Sequence, residues 1–507
     1  MSGGLVSFAF PPYPWTFLAW FAMVPFLASI ARDAARPLSV ESSVESHRPD
    51  WTGSFGPGLV FGFAYHAGLL SWWMQMFLAR KEGLAVAAAT AFAICAYGAV
   101  FTGLFSLIFA LGIRGLARRP HSVLSALAPF WAAAVWVFIE FAACRSVGGL
   151  AWSTVGNSLW NSPAYIQTGS LFGPWGLSFL VVLANASIAL AFAGLPGRRA
   201  ALLILPSLLL IVSAGLLGRA ALRRAPGEAG RPAIVRVAAL HGHFDPEKVL
   251  ESDFGASKTG IFERLAGELR GGPDLAVWPQ LAVLDFSVPA VEKRVTGLAA
   301  AGRVPHIVGV QEEDGTGRVF NSAVLVSSGG LVESVYRKMR PVPFAETPLF
   351  GHPTIDDADT FPGDSPVLLK VAGANGRVAV APTICWEMGF PGMVRDLTKM
   401  GGQVIVNLSE GIWFNPKAQA QYFALGLFRA AENRRWVVVS AANGISGAID
   451  PWGRVVREVR PGTSEILYAG VTPRSDLTWY VRMGDVLPWP CLVFGFLGFY
   501  VFRRKTP

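Results

Sequence analysis

Long runs of apolar residues constrain the fold of this chain more than any other feature. A helix needs about 20 consecutive apolar residues to cross the hydrocarbon core of a bilayer. Runs near that length fill the sequence up to residue 218, and one more lies near its end: Trp15–Ile30, Phe55–Leu78, Leu84–Ile113, Ala126–Cys144, Tyr165–Gly194, Ala201–Leu217 and Val486–Phe502. They predict a multi-span α-helical membrane domain in residues 1–218 and a last transmembrane helix in residues 486–503.

The pattern changes between residues 232 and 476, where short β-type runs alternate with helical ones. Only 15% of the chain is charged, and the deficit against the roughly 25% of soluble proteins lies in the apolar runs. The predicted strands are Ile234–Leu240, Leu275–Trp278, Ile307–Val310, Ser322–Val326, Val378–Ile384, Val404–Leu408, Val437–Ala441 and Ile466–Val471. The predicted helices include Lys258–Leu269, Ala290–Ala301 and Ala418–Asn433. Such alternation predicts a soluble α/β domain with helices covering the sheet faces.

The net charge of +9 is not gathered into a stripe or a repeat, so nucleic-acid binding is not predicted. Basic residues instead mark alternate loops between the apolar runs: Arg32, Arg36, Arg114, Arg118, Arg119, Arg198, Arg199 and the tail Phe502–Lys505. Loops rich in Lys and Arg stay in the cytoplasm, which places the domain of residues 232–476 outside it. The pair Arg80–Lys81 and the stretch Arg219–Arg224 favour the opposite orientation but are outnumbered.

Polar residues follow three predicted strands of the soluble domain. Cys385 comes directly after Val378–Ile384, Gln280 follows Trp278-Pro279, and Lys338 lies in "SVYRKMRPVPFAE", which ends at Glu346. Catalytic groups of α/β folds gather at strand ends, although a buried cysteine often serves only as a small apolar residue. The chain's cysteines show no CxxC spacing, so neither a metal site nor a disulfide framework is predicted.

In this order the three positions resemble the catalytic set of the nitrilase superfamily, whose Glu, Lys and Cys lie at strand ends of an αββα sandwich. With the apolar runs included, nearly the whole chain resembles the bacterial apolipoprotein N-acyltransferase family. The matching segments are "FAFPPYPW", "VGGLAWSTVGNSLWNSPAYIQTGSLFGPWGLSFLVVLANA", "YRKMRPVPFAE", "ICWE", "AANGISGAIDPWGRV" and "VRMGD".

The resemblance implies a two-step acyl transfer in the inner membrane of a bacterium, with a periplasmic catalytic domain and no cofactor. A phospholipid is the implied acyl donor, and the acceptor is the diacylglyceryl-cysteine amine at an apolipoprotein's N-terminus. The position of the nucleophile is Cys385 and that of the lysine is Lys338, while Glu346 and Glu387 match acidic residues near the site. Apolar side chains of the same domain, Trp386, Trp413 and Phe414, are expected to bind lipid, with core packing as their alternative role.

One position departs from the family pattern, because Gln280 stands where the resemblance places the glutamate general base. A glutamine side chain cannot accept and return a proton. Three interpretations follow: Glu346 or Glu387 performs the proton transfer, the protein is an inert relative that binds lipid or lipoprotein, or the glutamine inactivates an otherwise complete enzyme. A membrane-anchored amidase or nitrilase is a further alternative, and a structural membrane scaffold would leave the position of Cys385 unexplained.

Overall fold

The computed structural model describes residues 1–35, 51–117, 126–146, 149, 151–193, 197–225, 235–245, 248, 253–284, 286–342, 346, 360–373 and 376–503. The chain forms two compact units, one of Met1–Arg223 with Asp485–Pro507 and the other of Arg224–Gly484. Several residues used in the predictions lie outside the described ones: Arg36, Arg118, Arg119, residue 232, Ile234 and the end of the basic tail, residues 504–505.

The first unit is helical, as the apolar runs predict. Its helices are α1 (Ser2–Ser7), α2 (Val24–Ala35), α3 (Trp51–Leu69), α4 (Ser71–Ala79), α5 (Leu84–Ala117), α6 (Ala128–Arg145), α7 (Pro163–Ile166), α8 (Gly169–Phe172), α9 (Pro174–Phe192) and α10 (Gly197–Arg224), with Pro488–Arg503 at the chain's end. Among the described residues, five helical segments are long and apolar enough to cross a membrane: Thr16–Ala35, Leu84–Ala117, Ala128–Arg145, Pro174–Phe192 and Ile204–Arg224. The prediction of a helical region with several possible membrane spans is confirmed.

Two predicted spans are wrong as single helices. The run Phe55–Leu78 is divided between α3 and α4 at Leu70, whose φ of −98° and ψ of 22° are not helical. In the run Tyr165–Gly194 the long helix α9 begins only at Pro174. Gly173, with a φ of 62°, takes the left-handed conformation that glycine adopts without strain, and Pro174 suits a first helical turn because no N–H is needed there. Apolar composition alone does not reveal such breaks.

The second unit contains two six-stranded sheets, ordered β12-β1-β2-β3-β4-β5 and β11-β10-β9-β8-β7-β6. The strands are β1 (Val235–His241), β2 (Leu275–Val277), β3 (His306–Glu313), β4 (Val319–Val326), β5 (Val332–Arg337), β6 (Leu369–Gly373), β7 (Gly376–Ile384), β8 (Val404–Glu410), β9 (Val437–Ala442), β10 (Ser446–Ile449), β11 (Val455–Val459) and β12 (Glu465–Val471). Strands β1 to β3 run parallel, as do β7 to β9, so their carboxyl ends share one edge of each sheet.

Helices cover the outer faces of the two sheets. They are α11 (Phe254–Gly267), α12 (Pro289–Gly302), α13 (Pro391–Lys399), α14 (Pro416–Asn433) and the short α15 (Trp479–Met483). Phe262 of α11 and Val295 of α12 share a buried cluster with Trp278 beside the first sheet. Between the sheets, the Ser440 hydroxyl of β9 donates to the carbonyls of Leu240, at 2.7 Å, and Val277, at 3.0 Å. The predicted αββα architecture is confirmed.

The sequence patterns miss β5, β6, β10 and β11. Three of these are edge strands of the two sheets, where one side of the strand has no neighbour to bury it. In β11, "VVREV", four of the five residues are exposed, so burial does not alternate along it. An edge strand such as β11 therefore lacks the alternation of buried and exposed residues on which strand prediction depends.

Candidate active site

The nucleophile candidate Cys385 lies at the carboxyl end of β7 and opens the short 3₁₀ helix Cys385–Gly389. Its φ of 46° is in the left-handed region, which costs energy for a residue with a Cβ and must be held by its surroundings. The fully buried Asn407 of β8 contributes to this. Its amide nitrogen donates to the Thr383 hydroxyl at 2.9 Å and to the Cys385 carbonyl at 3.4 Å. The Tyr422 hydroxyl in turn donates to the Asn407 amide oxygen at 3.3 Å.

Lys338 and Glu346 form a buried ion pair. The Lys338 Nζ lies 2.7 Å from each carboxylate oxygen of Glu346. Lys338 follows β5 directly, and its backbone N–H donates to the Asn321 carbonyl at 2.8 Å. Glu346 also accepts the Val342 N–H at 2.7 Å and the Asn321 amide at 3.3 Å. A lysine this deeply buried needs such a partner, because an unpaired charge in the interior is very costly.

Gln280 also lies in this buried group, at 3.4 Å from Glu346 Oε1 through its amide nitrogen. Its amide oxygen is buried and has no hydrogen-bond partner among the described residues. The backbone reaches this place because Gly309 of β3 has no side chain. A Cβ at residue 309 would lie 2.0 Å from the Pro279 carbonyl oxygen and 2.8 Å from the Gln280 Cα. The structure thus brings Gln280, Lys338 and Glu346 together.

Glu387 is fully buried, and its carboxylate accepts hydrogen bonds from a tyrosine hydroxyl and three backbone N–H groups. One carboxylate oxygen accepts the Tyr336 hydroxyl at 2.8 Å and the Ile384 N–H at 2.7 Å. The other accepts the backbone N–H groups of Met339, at 2.7 Å, and Arg340, at 3.1 Å. Burial raises the pKa of Glu387 to about 7, although the Ile384 hydrogen bond and the Lys338 charge act against that rise. Its carboxylate therefore joins the strand of Cys385 to the segment that carries Lys338.

The charged groups of the site shift one another's pKa values. Burial raises the pKa of the Cys385 thiol, the Lys338 ammonium opposes this rise, and Glu346 adds to it. The backbone N–H groups of Glu410 and Trp386 also lower the pKa of this thiol. Burial alone would lower the pKa of Lys338, but the attraction of Glu346 and Cys385 outweighs it and the net shift is upward. Lys338 therefore remains a cation beside the sulfur at neutral pH.

The aromatic residues expected to bind lipid have mixed surroundings. Trp386 is buried and packs edge-on against Phe390, with ring centroids 5.8 Å apart. Trp413 is partly buried against the same apolar cluster that contains Trp278, while Phe414 is tilted against Tyr422 at 6.3 Å. The structure therefore gives Trp386 a packing role and leaves part of Trp413 and Phe414 accessible.

Sequence patterns missed four polar residues that border this group: Asn321, Asn407, Glu410 and Tyr422. Two of them belong to β8, whose core Val404–Leu408 is a predicted strand. The rule that placed Cys385 at a strand end would also have selected Glu410. Asn321 and Tyr422 lie inside a strand and a helix, where no local pattern separates a site residue from a buried polar one.

Comparisons with known proteins agree with this arrangement. Residues 2–187 match the family model of the apolipoprotein N-acyltransferase N-terminal domain, and residues 263–476 match that of carbon-nitrogen hydrolase. An apolipoprotein N-acyltransferase from Geobacter metallireducens is 28% identical, over 100% of this chain and 95% of the relative. One from Pseudomonas aeruginosa is 29% identical, over 72% of this chain and 71% of the relative. The chain therefore combines the N-terminal domain of apolipoprotein N-acyltransferases with a carbon-nitrogen hydrolase domain.

A solved structure of an amidase from Nesterenkonia sp. is also similar, with a TM-score of 0.40 and 19% identity over 50% of this chain and 94% of the amidase. Apolipoprotein N-acyltransferases are enzymes of the carbon-nitrogen hydrolase superfamily, so the chain is an acyltransferase by family. The family name and the apolar helices also make it a membrane protein involved in lipoprotein N-acylation.

Proposed function

We propose that this protein transfers a fatty acyl group from a phospholipid to the N-terminal amine of a diacylglyceryl-cysteine, through a thioester on Cys385. The observation that carries the proposal is the convergence of Cys385 with the buried pair Lys338 and Glu346 at the strand ends of a carbon-nitrogen hydrolase domain. The Lys338 cation favours the thiolate, but burial leaves the pKa of the Cys385 thiol raised overall, so the attack also needs a base that takes the thiol proton.

In the first step the Cys385 sulfur attacks the ester carbonyl of the phospholipid. The Lys338 ammonium is the donor that stabilises the negative oxygen of the tetrahedral intermediate. The carbon–oxygen bond then breaks, and the departing lysophospholipid oxygen needs a proton. Gln280 cannot supply one. We assign both proton transfers to Glu346, which takes the thiol proton as the sulfur attacks and gives it to the departing oxygen. It is the carboxylate that contacts Lys338 and Gln280 and whose charge acts on Cys385.

Glu387 has a different role in this proposal. Its carboxylate accepts four hydrogen bonds from protein groups, and no hydrogen bond to Cys385 is present among the described residues. It is therefore a positioning residue that sets the distance between nucleophile and lysine. Of the two carboxylates that the sequence offered as a replacement base, the proposal therefore uses Glu346.

Thioester formation is the direct test of this function. After incubation with phosphatidylethanolamine, mass spectrometry is expected to find a hydroxylamine-sensitive acyl adduct on Cys385. The variant Cys385→Ala should carry no adduct, because Cys95 and Cys491 are buried and Cys144 packs against an apolar cluster, surroundings in which a thiolate is disfavoured. An adduct on another cysteine would contradict the assignment. A folded protein with no adduct at all would favour the alternative that Gln280 marks an inert, lipid-binding relative.

We also propose an orientation in the bacterial inner membrane, with the domain of residues 232–476 periplasmic and the chain's end cytoplasmic. The support is the arginine-rich loops, which remain in the cytoplasm. A reporter fused after Phe502 is expected to show cytoplasmic behaviour. Periplasmic behaviour there would mean that the number of spans is wrong by one.

Trp413 is the proposed contact for the acyl chain, together with Phe414. Its ring is partly buried against the cluster containing Trp278, so it has both a packed and an accessible side. Trp413→Ala is expected to slow acyl loading of Cys385 more than it lowers the melting temperature. Trp386→Ala is the matched control, since the buried Trp386 should affect mainly stability. Equal losses of loading and stability in the Trp413 variant would assign that residue to packing alone.

A further inference from the structure

Glu410 is a glutamate whose backbone contacts the nucleophile and whose carboxylate the first step does not use. It ends β8, next to the strand that delivers Cys385, and its backbone N–H is one of the two that lower the pKa of the Cys385 thiol. Residue 410 therefore borders the sulfur directly.

The backbone at this position is held firmly. The Gly411 N–H donates to the Ala442 carbonyl at 2.7 Å, and the Gln419 side chain donates to the Gly411 carbonyl at 3.3 Å. A Cβ on residue 411 would lie 2.6 Å from the Gly444 backbone, so the two glycines allow the segments to touch. The side chain of Glu410 thus starts from a fixed point.

That side chain forms an ion pair with Lys258 of α11, at 2.9 Å between Nζ and Oε1. The Lys258 side chain is 2% exposed and that of Glu410 is 16% exposed. The neighbouring Thr259 hydroxyl donates to the Ala282 carbonyl at 3.0 Å, two residues after Gln280. The pair therefore connects the segment after Gln280 to the strand end beside Cys385.

The carboxylates of Glu346 and Glu410 differ in what they can still bind. Lys338 contacts both oxygens of Glu346, which also accepts a backbone N–H and two side-chain amides. Lys258 contacts one oxygen of Glu410, whose carboxylate reaches solvent in part. An incoming cation can approach Glu410 without displacing its lysine.

In the second step of the proposed reaction, the protonated α-amine of the acceptor is such a cation. An α-amine has a pKa of about 7.7–8.0, so much of the acceptor arrives protonated at neutral pH and cannot attack. From these observations, and resting on the proposed function, we propose that Glu410 is the catalytic base of the second step. Its carboxylate binds the α-ammonium of the acceptor and removes one proton, while Lys258 orients it.

The ammonium gives one proton to Glu410, and the neutral nitrogen attacks the thioester carbonyl carbon. The carbon–sulfur bond breaks as the amide carbon–nitrogen bond forms. The nitrogen loses its second proton to the departing Cys385 sulfur, which becomes the thiol again. Glu410 then releases its proton to solvent.

Separate measurement of the two steps tests this inference on the full-length protein. The acyl-enzyme is formed first with phosphatidylethanolamine, and a synthetic diacylglyceryl-cysteine peptide with a free α-amine is then added. For Glu410→Gln, thioester formation should stay within about twofold of the unmodified protein, while transfer to the peptide at pH 7 should fall by about tenfold, since roughly a tenth of an amine with a pKa of about 8 is neutral at that pH without help. The loss should shrink above about pH 8, where the amine is neutral without help.

Two further variants make the result interpretable. Glu333→Gln, an exposed glutamate of the same domain, should change neither step. Glu410→Gln leaves the buried Lys258 without its partner. If that single variant does not fold, the two steps are measured in the double variant Glu410→Gln/Lys258→Met. Equal loss of both steps, or normal transfer at pH 7, would overturn the inference. Absence of any thioester in the unmodified protein would overturn the proposed function itself, and this inference with it.

Discussion

Glu346→Gln is expected to lower the rate of thioester formation on Cys385 by about 10²–10⁴-fold, the usual contribution of a general acid–base group. The carboxylate at residue 346 is the one that contacts both Lys338 and Gln280. With amides at both positions, Lys338 would contact no carboxylate among the described residues that could take the thiol proton and return it to the departing lysophospholipid. Single-turnover acylation, followed by mass spectrometry, measures the rate.

A double variant separates proton transfer from loss of structure. Gln280 and Glu346 contact each other at 3.4 Å, so Glu346→Gln/Gln280→Glu moves the carboxylate to its neighbour while one acid and one amide remain. It is expected to recover a large part of the lost rate. The recovery should be smaller for an activated aryl ester, whose leaving group needs little protonation. A double variant as slow as Glu346→Gln would show that position 346 acts through structure.

The single variant Gln280→Glu completes the comparison. It would place two carboxylates side by side with one lysine between them, and like charges raise the pKa of nearby acids and of the Cys385 thiol. No gain in rate is therefore expected, and a modest loss is. A gain of about 10²–10⁴-fold would instead mean that the amide was the one missing element and that Glu346 does not transfer the proton.

Lys338→Met should lower the rate of thioester formation by a similar factor, but for a different reason. Removal of one donor to a developing oxyanion costs about 10²–10³ in rate. The Lys338 charge also lowers the pKa of the Cys385 thiol, so the variant's alkylation by iodoacetamide should require higher pH than that of the unmodified protein. The buried Glu346 loses its cation as well, and breaking a buried pair costs about 3–5 kcal/mol of stability.

Lys370→Met, which removes an exposed lysine of the same domain, is the control for net charge. It should leave the acylation rate, the pH dependence of alkylation and the melting temperature nearly unchanged. A Lys338→Met protein that stays folded, with normal acylation and an unshifted alkylation profile, would exclude the role assigned to the ammonium.

Sequence reasoning reached the strand-end residues because parallel strands fix where their carboxyl ends lie. Cys385 and Gln280 each follow a buried run that is legible in the sequence. Lys338 is selected as a polar residue and by resemblance, although its edge strand β5 has no clear alternation and is not itself predicted. The contact of Gln280 with Glu346 joins residues 66 positions apart across irregular segments, which no local pattern can predict.

The helical unit shows the same limit. The run Tyr165–Gly194 is apolar throughout, yet Gly173 and Pro174 begin a new helix within it. Glu387 shows the opposite case, because it is only two residues from Cys385 in the chain. The 3₁₀ turn nevertheless directs its carboxylate toward Tyr336 and Met339. Nearness in sequence thus does not determine which groups a side chain contacts where the backbone turns sharply.

The Glu387 carboxylate joins residues at the ends of β5 and β7, and these strands belong to different sheets. The Cys385 sulfur and the Lys338 ammonium are therefore carried by different sheets of the sandwich. Their alignment depends on the relative displacement of the two sheets. A displacement of about 1 Å between reacting groups can cost about 100-fold in rate. Substitutions deep between the sheets, such as at Ser440, should accordingly reduce turnover at temperatures where the domain remains fully folded.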